Sequence, residues 1–283
     1  GLVEEFGDRV FDTPISELAL AGAAFGSAVT GLRPVIEIMF GDFVPLTMDS
    51  LINQAAKFWY VSNEQAGVPL VLRCAVGAGG RFGAMHSQSP GTWLHGVPGL
   101  KVVAPAFPAD AYVLLRAAIR DRNPVIFLEH KRLYPLKGEP GDCGDLPIGR
   151  ARVVRPGADL TVVSIMKGVH DALAAADVLA AAGVDCEVVD LRGLRPLDAA
   201  TVAESVSRTG RLLAVEEGTL VGGWAAGLVG IVAEQALGDL DDLWVLATDD
   251  TPVPYSPTLE DAYLPGADAI VASVRKRLSV AAG

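Results

Sequence analysis

The fold is decided at residues 71–90, which read Val71-Leu72-Arg73-Cys74-Ala75-Val76-Gly77-Ala78-Gly79-Gly80-Arg81-Phe82-Gly83-Ala84-Met85-His86-Ser87-Gln88-Ser89-Pro90. The first six residues form a short apolar run rich in Val, which predicts a buried parallel strand. The glycines that follow allow positive φ and a close approach of the backbone to a neighbour. Ligands of open α/β sheets bind beyond the carboxyl ends of strands. His86 is therefore the first candidate for a functional residue.

Two simpler interpretations of this stretch stay open. A glycine-rich loop also serves as a plain connection, and a single histidine is often a hydrogen-bonded surface or core residue. The spacing matches neither the G-x-x-x-x-G-K-[ST] pattern nor the G-x-G-x-x-G pattern of phosphate-binding loops. The loop is thus not a self-contained nucleotide site.

Size and composition indicate a two-domain protein that assembles with partners. The chain has 283 residues, enough for two ordinary domains that each have a core. Hydrophobic residues make up 51% and charged residues 20%, an apolar balance that suggests surface buried in an oligomer. The net charge of −11 argues against nucleic acid and anionic membranes as partners, because both require clustered Lys and Arg.

Cysteine usage and hydropathy favour a cytoplasmic location. Cys74, Cys143 and Cys186 are odd in number and lack the paired spacing of metal ligands, which argues against a disulfide framework or a zinc site. The longest apolar stretch, residues 18–29, is rich in Gly and Ala and too short to cross a membrane. It predicts a buried helix, with Glu17 in the first turn, where the helix dipole favours a carboxylate.

Strand and helix patterns alternate along the chain, which predicts two α/β domains with largely parallel sheets. Residues 135–148 are rich in Pro and Gly and read as a linker between a domain at 1–134 and a domain at 149–283. Strands are expected at residues 10–11, 34–39, 71–76, 101–104, 125–129, 160–165, 185–190, 211–216 and 243–246. Helices are expected at residues 2–6, 18–31, 46–60, 109–120, 168–182, 199–207, 224–238 and 267–279.

Several motifs together resemble one family. They are Asp12-Thr13-Pro14-Ile15-Ser16-Glu17, Asn53-Gln54-Ala55-Ala56-Lys57, His86-Ser87-Gln88, Pro98-Gly99-Leu100-Lys101-Val102-Val103 and Pro254-Tyr255-Ser256-Pro257-Thr258-Leu259-Glu260-Asp261. The chain resembles the β subunits of thiamine-diphosphate-dependent 2-oxo acid dehydrogenase decarboxylating components, over essentially its whole length. Acetoin dehydrogenase β subunits are the most similar and pyruvate dehydrogenase β subunits come next.

The resemblance implies a transketolase-like pyrimidine-binding domain followed by a transketolase C-terminal domain, in an α2β2 heterotetramer. The implied reaction is cleavage of pyruvate or acetoin, with transfer of the acyl unit to a lipoyl-bearing dihydrolipoamide acyltransferase. The alternatives are a branched-chain 2-oxo acid dehydrogenase β subunit, half of a transketolase or deoxyxylulose-phosphate synthase, and a catalytically silent assembly subunit. Family β subunits carry several dozen residues before the position of Gly1, so we expect part of the pyrimidine-binding domain to precede this sequence.

The resemblance also assigns roles to individual residues. Glu17 matches the glutamate that hydrogen-bonds the aminopyrimidine ring of the cofactor and assists its acid–base chemistry. His86 matches the histidine that faces the reacting carbon and passes protons. Met39 and Phe43 match positions that line the aminopyrimidine.

Metal ions are expected at two places by the same resemblance. The diphosphate is held through Mg²⁺ at a Gly-Asp-Gly…Asn motif, and no Gly-Asp-Gly occurs in this sequence, so the α subunit is expected to supply the ion. A structural K⁺ is expected at the positions that match Leu70, Ala118, Ile119, Asp121 and Asn123. Asp121 could equally be an ordinary turn residue at the end of a helix.

Overall fold

A computed structural model describes residues 1–140 and 146–279. The strands of these residues are β1 (Val35–Ile38), β2 (Val71–Val76), β3 (Lys101–Val103), β4 (Val125–His130), β5 (Arg152–Arg155), β6 (Leu160–Ser164), β7 (Cys186–Asp190), β8 (Gly193–Arg195), β9 (Arg211–Thr219) and β10 (Asp242–Thr248). The α-helices are α1 (Leu2–Phe6), α2 (Glu17–Val29), α3 (Ala56–Val61), α4 (Gly91–His95), α5 (Pro108–Arg120), α6 (Met166–Ala180), α7 (Ala199–Thr209), α8 (Trp224–Ala236), α9 (Pro257–Tyr263) and α10 (Ala267–Leu278).

The strands form two five-stranded sheets, and most neighbouring strands are parallel. The first sheet has the order β1-β2-β4-β3-β8, in which only the β3–β8 pair is antiparallel. The second has the order β10-β9-β6-β7-β5, in which only the β5–β7 pair is antiparallel. The predicted class, two α/β domains with largely parallel sheets, is confirmed.

The central strands of both sheets are buried on both faces, and this burial produces the apolar runs from which the strands were predicted. β2 and β4 are covered on both faces, so their sequences are nearly continuous apolar runs rather than alternating ones. β6 and β7 are buried at every position for the same reason.

Strand β8 links the two halves of the chain. It comes from the C-terminal half, yet it pairs with β3 at the edge of the first sheet, with Val103 opposite Gly193. A Cβ atom at Gly193 would lie 2.7 Å from the carbonyl oxygen of Val102, so the close approach of the two strands requires glycine there. Arg195 donates from Nη1 to the carbonyl oxygen of His95 at 2.9 Å.

A buried charge cluster lies where the halves meet. Asp110 of α5 accepts from Arg152 Nη2 and from Arg192 Nη2, both at 2.9 Å. Asp190 is fully buried and accepts the backbone N–H of Arg192 at 2.9 Å, while its Oδ2 has no hydrogen-bond partner among the described residues. Burial raises the pKa of Asp190 to about 7, although the Arg192 amide and guanidinium act in the opposite direction.

Local differences from the predicted elements have physical causes. Residues 10–11 form no strand, since two residues find no neighbouring strand in the described part of the chain. The helix expected at 46–60 is instead a 3₁₀ segment (Gly41–Thr47), a π segment (Asp49–Ala55) and α3. Pro45 has no N–H to donate and lies in the 3₁₀ segment, just before the expected helix. β5, β8, α4 and α9 were not predicted, because such short elements carry too little periodicity.

Other expectations concern the linker, the cysteines and membranes. Residues 135–140 and 146–148 form neither helix nor strand, and 141–145, with Cys143, lie outside the described residues. Cys74 and Cys186 are buried, and burial raises the pKa of both thiols, that of Cys186 to about 11. Across 1–140 and 146–279, every helix is too short or too polar to traverse a lipid bilayer.

Asp190→Asn is expected to change how stability depends on pH. The carboxyl ionises near pH 3.9 in an unfolded chain but near 7 when folded, so between these values the folded protein holds the extra proton. Its contribution to the free energy of unfolding is therefore fully present below about pH 4 and is lost as pH rises to 7. We expect the melting temperature of the wild type to fall relative to Asp190→Asn by roughly 3 °C per pH unit between pH 5 and 7.

The measurement is thermal unfolding of both purified proteins from pH 5 to 9, where the difference should level off above pH 8. Asp177→Asn is the control, because exposed Asp177 is paired with Arg155 in the same half. Parallel curves for Asp190→Asn and wild type would contradict the argument.

Candidate functional site

The site forms where three neighbouring strands end. β1, β2 and β4 are adjacent and parallel, so their carboxyl ends meet at one edge of the first sheet. β1 leads into the segment with Phe40 and Phe43, β2 into the glycine-rich loop with His86, and β4 into Lys131. Ligands of such sheets bind beyond this edge.

His86 lies between aromatic rings. Its imidazole meets the Phe40 ring edge-on, with centroids 4.7 Å apart, and the Phe43 ring edge-on at 5.5 Å. Phe40 also meets Phe82 at 6.0 Å. We call Phe40, Phe43, Phe82 and His86 the aromatic cluster. Within the described residues neither ring nitrogen of His86 has a hydrogen-bond partner, so both are free to meet a ligand.

Lys131 closes one side of the aromatic cluster. Its ammonium lies 5.3 Å from the Phe40 ring centroid and 5.5 Å from that of Phe82, and it donates to the backbone carbonyl of His86. Burial lowers the pKa of Lys131, although nearby carboxylates, first among them Asp42, act to raise it. Lys131 therefore fixes the backbone of His86 and brings positive charge to a partly dry site.

Asp42 joins the Phe43 segment to the His86 segment. Its Oδ1 accepts the backbone N–H of Gln88 at 3.2 Å and the Gln88 side-chain amide at 2.9 Å. Asp42 Oδ2 and the hydroxyl of Ser87 are buried and lack partners among the described residues. Buried polar atoms of this kind are costly unless a ligand or water satisfies them.

The glycine-rich loop adopts conformations that favour glycine. Gly77 and Gly79 have φ of 91° and 87°. A Cβ atom at Gly77 would lie 2.2 Å from the His130 imidazole, and one at Gly79 would lie 2.4 Å from Arg132 Cδ. Both side chains thus pack directly on the loop backbone.

Two carboxylates of the C-terminal half hold this loop. Glu217 Oε1 accepts the Ala78 amide at 2.6 Å and its Oε2 meets His130 Nε2 at 2.9 Å. Glu260 is fully buried and accepts the Gly79 amide at 2.8 Å. Its Oε2 accepts the Arg81 amide at 3.2 Å and Arg81 Nη1 at 2.8 Å.

A cavity of about 200 Å³ adjoins the loop between the two halves of the chain. Its lining includes Ala78, His130 and Glu217 from the loop contacts, and Glu216. Burial raises the pKa of Glu216 to about 7, although its carboxylate accepts the amides of Trp224 and Ala225 at the start of α8.

The structure brings together only some of the predicted site residues. His86 and Phe43 are in contact. Glu17 is the half-buried first residue of α2, which packs against the 3₁₀ segment that carries Phe43, and its carboxylate has no hydrogen bond from the described residues. Met39 follows β1, directly before Phe40, and is 67% exposed. The roles of all four stay predictions.

At the positions predicted to bind K⁺, oxygens of Ile119 and Asp121 already have cationic neighbours. Arg33 Nη1 donates to the carbonyls of Ile119 and Asp121 at 2.8 and 2.9 Å, and Lys101 donates to the Asp121 carboxylate. The remaining contacts are to backbone amides: Asn123 donates to Asp121 Oδ1, Asp121 to the Ala118 carbonyl, and Val125 to the Leu70 carbonyl. A K⁺ ion would share these oxygens with two cationic side chains, and the site stays a prediction.

Sequence reasoning missed Lys131, Glu217 and Glu260. Glu260 lies in a motif that supports the family resemblance, but nothing in the motif shows what it binds. No group of three or more His, Cys, Asp or Glu side chains within 1–140 and 146–279 is placed to hold a metal ion.

Both halves match known protein families. Residues 1–137 match the model of the transketolase pyrimidine-binding domain, and residues 149–270 match that of the transketolase C-terminal domain. A solved chain described as a split-gene transketolase, inactive β4 tetramer, aligns with a TM-score of 0.81 at 24% identity, covering 99% of this chain and 87% of that one. This structural likeness supports the fold alone.

Curated relatives share much more sequence. The β subunit of acetoin:2,6-dichlorophenolindophenol oxidoreductase from Cupriavidus necator is 48% identical, over 98% of this chain and 83% of the relative. The pyruvate dehydrogenase E1 β subunit of Rhizobium meliloti is 46% identical, over 97% of this chain and 61% of the relative. The 2-oxoisovalerate dehydrogenase β subunit of Bacillus subtilis is 43% identical, over 98% of this chain and 86% of the relative.

The two family models fall on the two halves that the sheets define, and the relatives align along nearly the whole chain. The chain therefore belongs to the family of β subunits of thiamine-diphosphate-dependent 2-oxo acid dehydrogenase decarboxylating components, which are oxidoreductases of the pyruvate and acetoin dehydrogenase type.

Proposed function

We propose that this chain is the β subunit of a cytoplasmic α2β2 dehydrogenase component that cleaves pyruvate or acetoin. The acyl unit passes to the lipoyl group of a partner dihydrolipoamide acyltransferase. The proposed domains are residues 1–134 for pyrimidine binding and 149–283 for the C-terminal domain, joined by 135–148. The observation that carries the proposal is an imidazole with two open ring nitrogens, set among aromatic rings at the carboxyl ends of three parallel strands.

The residues present fit a cofactor with a planar heteroaromatic ring. Phe43 offers a half-exposed aromatic ring, and Met39 offers an exposed thioether chain. The Glu17 carboxylate is left without a hydrogen bond by the described residues and could accept one from a ring nitrogen. When bound, thiamine diphosphate supplies the electron sink that allows a carbon–carbon bond beside a carbonyl to break.

His86 is suited to move protons at this place. An imidazole exchanges a proton near neutral pH, and both nitrogens of this one are open. Phe40 and Phe43 restrict its ring, and Lys131 restrains its backbone. The positive charge of Lys131 beside the cluster also favours negative charge that develops on a substrate oxygen.

The α subunit is proposed to supply Mg²⁺ and the diphosphate site. This sequence lacks a Gly-Asp-Gly motif, and apolar side chains around the site stand open to a partner. Ile15 is 95% exposed and Met85 is 73% exposed. Exposed apolar surface of this kind marks a protein interface.

Two alternatives remain within the family. The relative named for 2-oxoisovalerate is only slightly less similar than the others, which keeps a branched-chain substrate open. A catalytically silent assembly subunit is the second alternative, and the presence of both Glu17 and His86 argues against it. Co-purification with the product of the neighbouring gene, followed by assays with an artificial electron acceptor, tests activity and substrate class together.

Glu17→Gln is expected to abolish most activity of the αβ complex and to leave its fold intact. A neutral amide cannot exchange a proton with the cofactor ring, and acid–base steps contribute about 10²–10⁴-fold to rates. The measurement is turnover with saturating cofactor, alongside circular dichroism. Glu204→Gln, at an exposed position of α7, is the control. A Glu17→Gln complex that keeps most of the wild-type turnover would remove Glu17 from the mechanism.

The β chain alone is expected to bind thiamine diphosphate too weakly to measure. It would contribute only the pyrimidine half of the site, whereas the charged diphosphate gains most from a metal ion. Calorimetric titration of the purified chain with cofactor and Mg²⁺, beside the same titration of the αβ complex, makes the comparison. A micromolar one-to-one isotherm for the β chain alone would contradict a shared site.

The αβ complex is expected to prefer acetoin or pyruvate over 3-methyl-2-oxobutanoate. Phe40 and Phe43 converge on His86 and leave limited room beside it. One methylene in an apolar pocket is worth roughly 1–3 kcal/mol, so the result should be a preference of about 10- to 200-fold. Comparison of kcat/KM for the three substrates decides the matter, and a branched acid that is the best substrate would refute it.

A further inference from the structure

We propose that Glu217 and Glu260 are positioning residues for His86, so that the C-terminal half sets the geometry of the site in the first half. The proposal rests on the proposed function, in which His86 transfers protons. Both glutamates accept hydrogen bonds from the glycine-rich loop that leads into His86, and in the part of the chain that the structure describes neither is hydrogen-bonded to His86.

The loop needs outside support. Four of the seven residues from Gly77 to Gly83 are glycines. Glycine has no side chain to pack and loses more conformational freedom on folding than any other residue. Hydrogen bonds from other parts of the chain must therefore fix its path. One internal bond closes its base, from the Gly77 amide to the Gln88 carbonyl at 3.2 Å.

Glu260 fixes the middle of the loop. Its two oxygens accept the amides of Gly79 and Arg81, and Oε2 also accepts the Arg81 guanidinium. Asp261 binds the other end of that guanidinium at 2.8 and 2.9 Å. Glu260 itself is completely buried, so its bonds to the loop amides are shielded from water, whereas the Arg81 guanidinium is 37% exposed.

Glu217 acts by two routes. The first is its bond to the Ala78 amide. The second runs through His130, whose Nδ1 accepts the Arg132 amide, so that Nε2 carries the proton donated to Glu217. Lys131 lies between these two anchored residues and donates to the His86 carbonyl. Loss of Glu217 would loosen both the start of the loop and the lysine that holds His86.

A small displacement of His86 would matter for catalysis even though the glutamates lie away from the reacting atoms. A shift of about 1 Å in a catalytic group can reduce a rate 10²-fold even when the cause lies away from the reacting atoms. Phe43 lies on a different segment from the loop, so cofactor contacts there should persist when the loop moves. The proposal therefore predicts a loss in kcat with little change in KM.

The test compares Glu217→Ala, Glu217→Gln and Glu260→Gln in the αβ complex. Glu217→Ala should lower kcat about 10- to 100-fold and leave KM for substrate and cofactor within about threefold. The kcat of Glu217→Gln should lie between those of Glu217→Ala and wild type. The amide oxygen can still accept from the Ala78 N–H, but the amide NH₂ group faces the N–H of His130. Glu260→Gln keeps the shape of the side chain and places an NH₂ group against the Arg81 donors.

Asp242→Asn is the matched control. Asp242 makes a bidentate ion pair with Arg277 at 2.6 Å in the same half and has no contact with the loop. Asp242→Asn removes an ion pair from the same half and should leave kcat unchanged.

Hydrogen exchange of the loop amides is the second readout and does not depend on activity. Glu217→Ala should speed exchange at Ala78, and Glu260→Gln should speed it at Gly79 and Arg81, whereas Asp242→Asn should not. Unchanged kcat with unchanged exchange in the glutamate variants would overturn the proposal, and so would faster exchange with wild-type kcat. A wild-type complex without thiamine-diphosphate-dependent turnover would instead refute the proposed function. In that case hydrogen exchange still tests the loop contacts, and loop amides that exchange as slowly in the glutamate variants as in wild type would refute them.

Discussion

A loop built largely of glycine can hold a fixed path only if its backbone amides find acceptors, and that constraint ties together the two halves of this chain. The amides of Ala78, Gly79 and Arg81 point to Glu217 and Glu260. The need is mutual, because a carboxylate as buried as Glu260 is stable in its charged form only when several donors surround it. The path of the loop after β2 therefore depends on the second half of the chain.

Much of the architecture was predictable from local pattern. Val71–Val76 and Val125–His130 are mostly apolar because both faces of the sheet are covered there, and that composition indicates central parallel strands. The position of His86 after such a strand made it a candidate, and its contact with Phe43 follows from the adjacency of strand ends. The strand order that makes them adjacent was not readable, since periodicity says nothing about which strands are neighbours.

The contacts that complete the site were beyond sequence reasoning for a different reason. Glu217 and Glu260 follow their loop partners by 139 and 181 residues, and no local pattern reports a pairing at such separation. The charge pair of Asp110 with Arg192 joins residues 82 apart in sequence, and its members look like ordinary surface residues until the fold buries them. The irregular helix after Phe40 depends on Pro45 within a tightly packed segment, where tertiary contacts outweigh helix propensity.

The short strand β8 has a consequence for the order in which the protein can mature on the ribosome. Until Gly193–Arg195 emerges, β3 is an unpaired edge with exposed backbone donors and acceptors, a known template for association between chains. About 90 residues separate Val103 from Gly193, which corresponds to roughly 5–20 s of synthesis at ordinary rates. During that interval this edge is open to pairing with a strand of another chain.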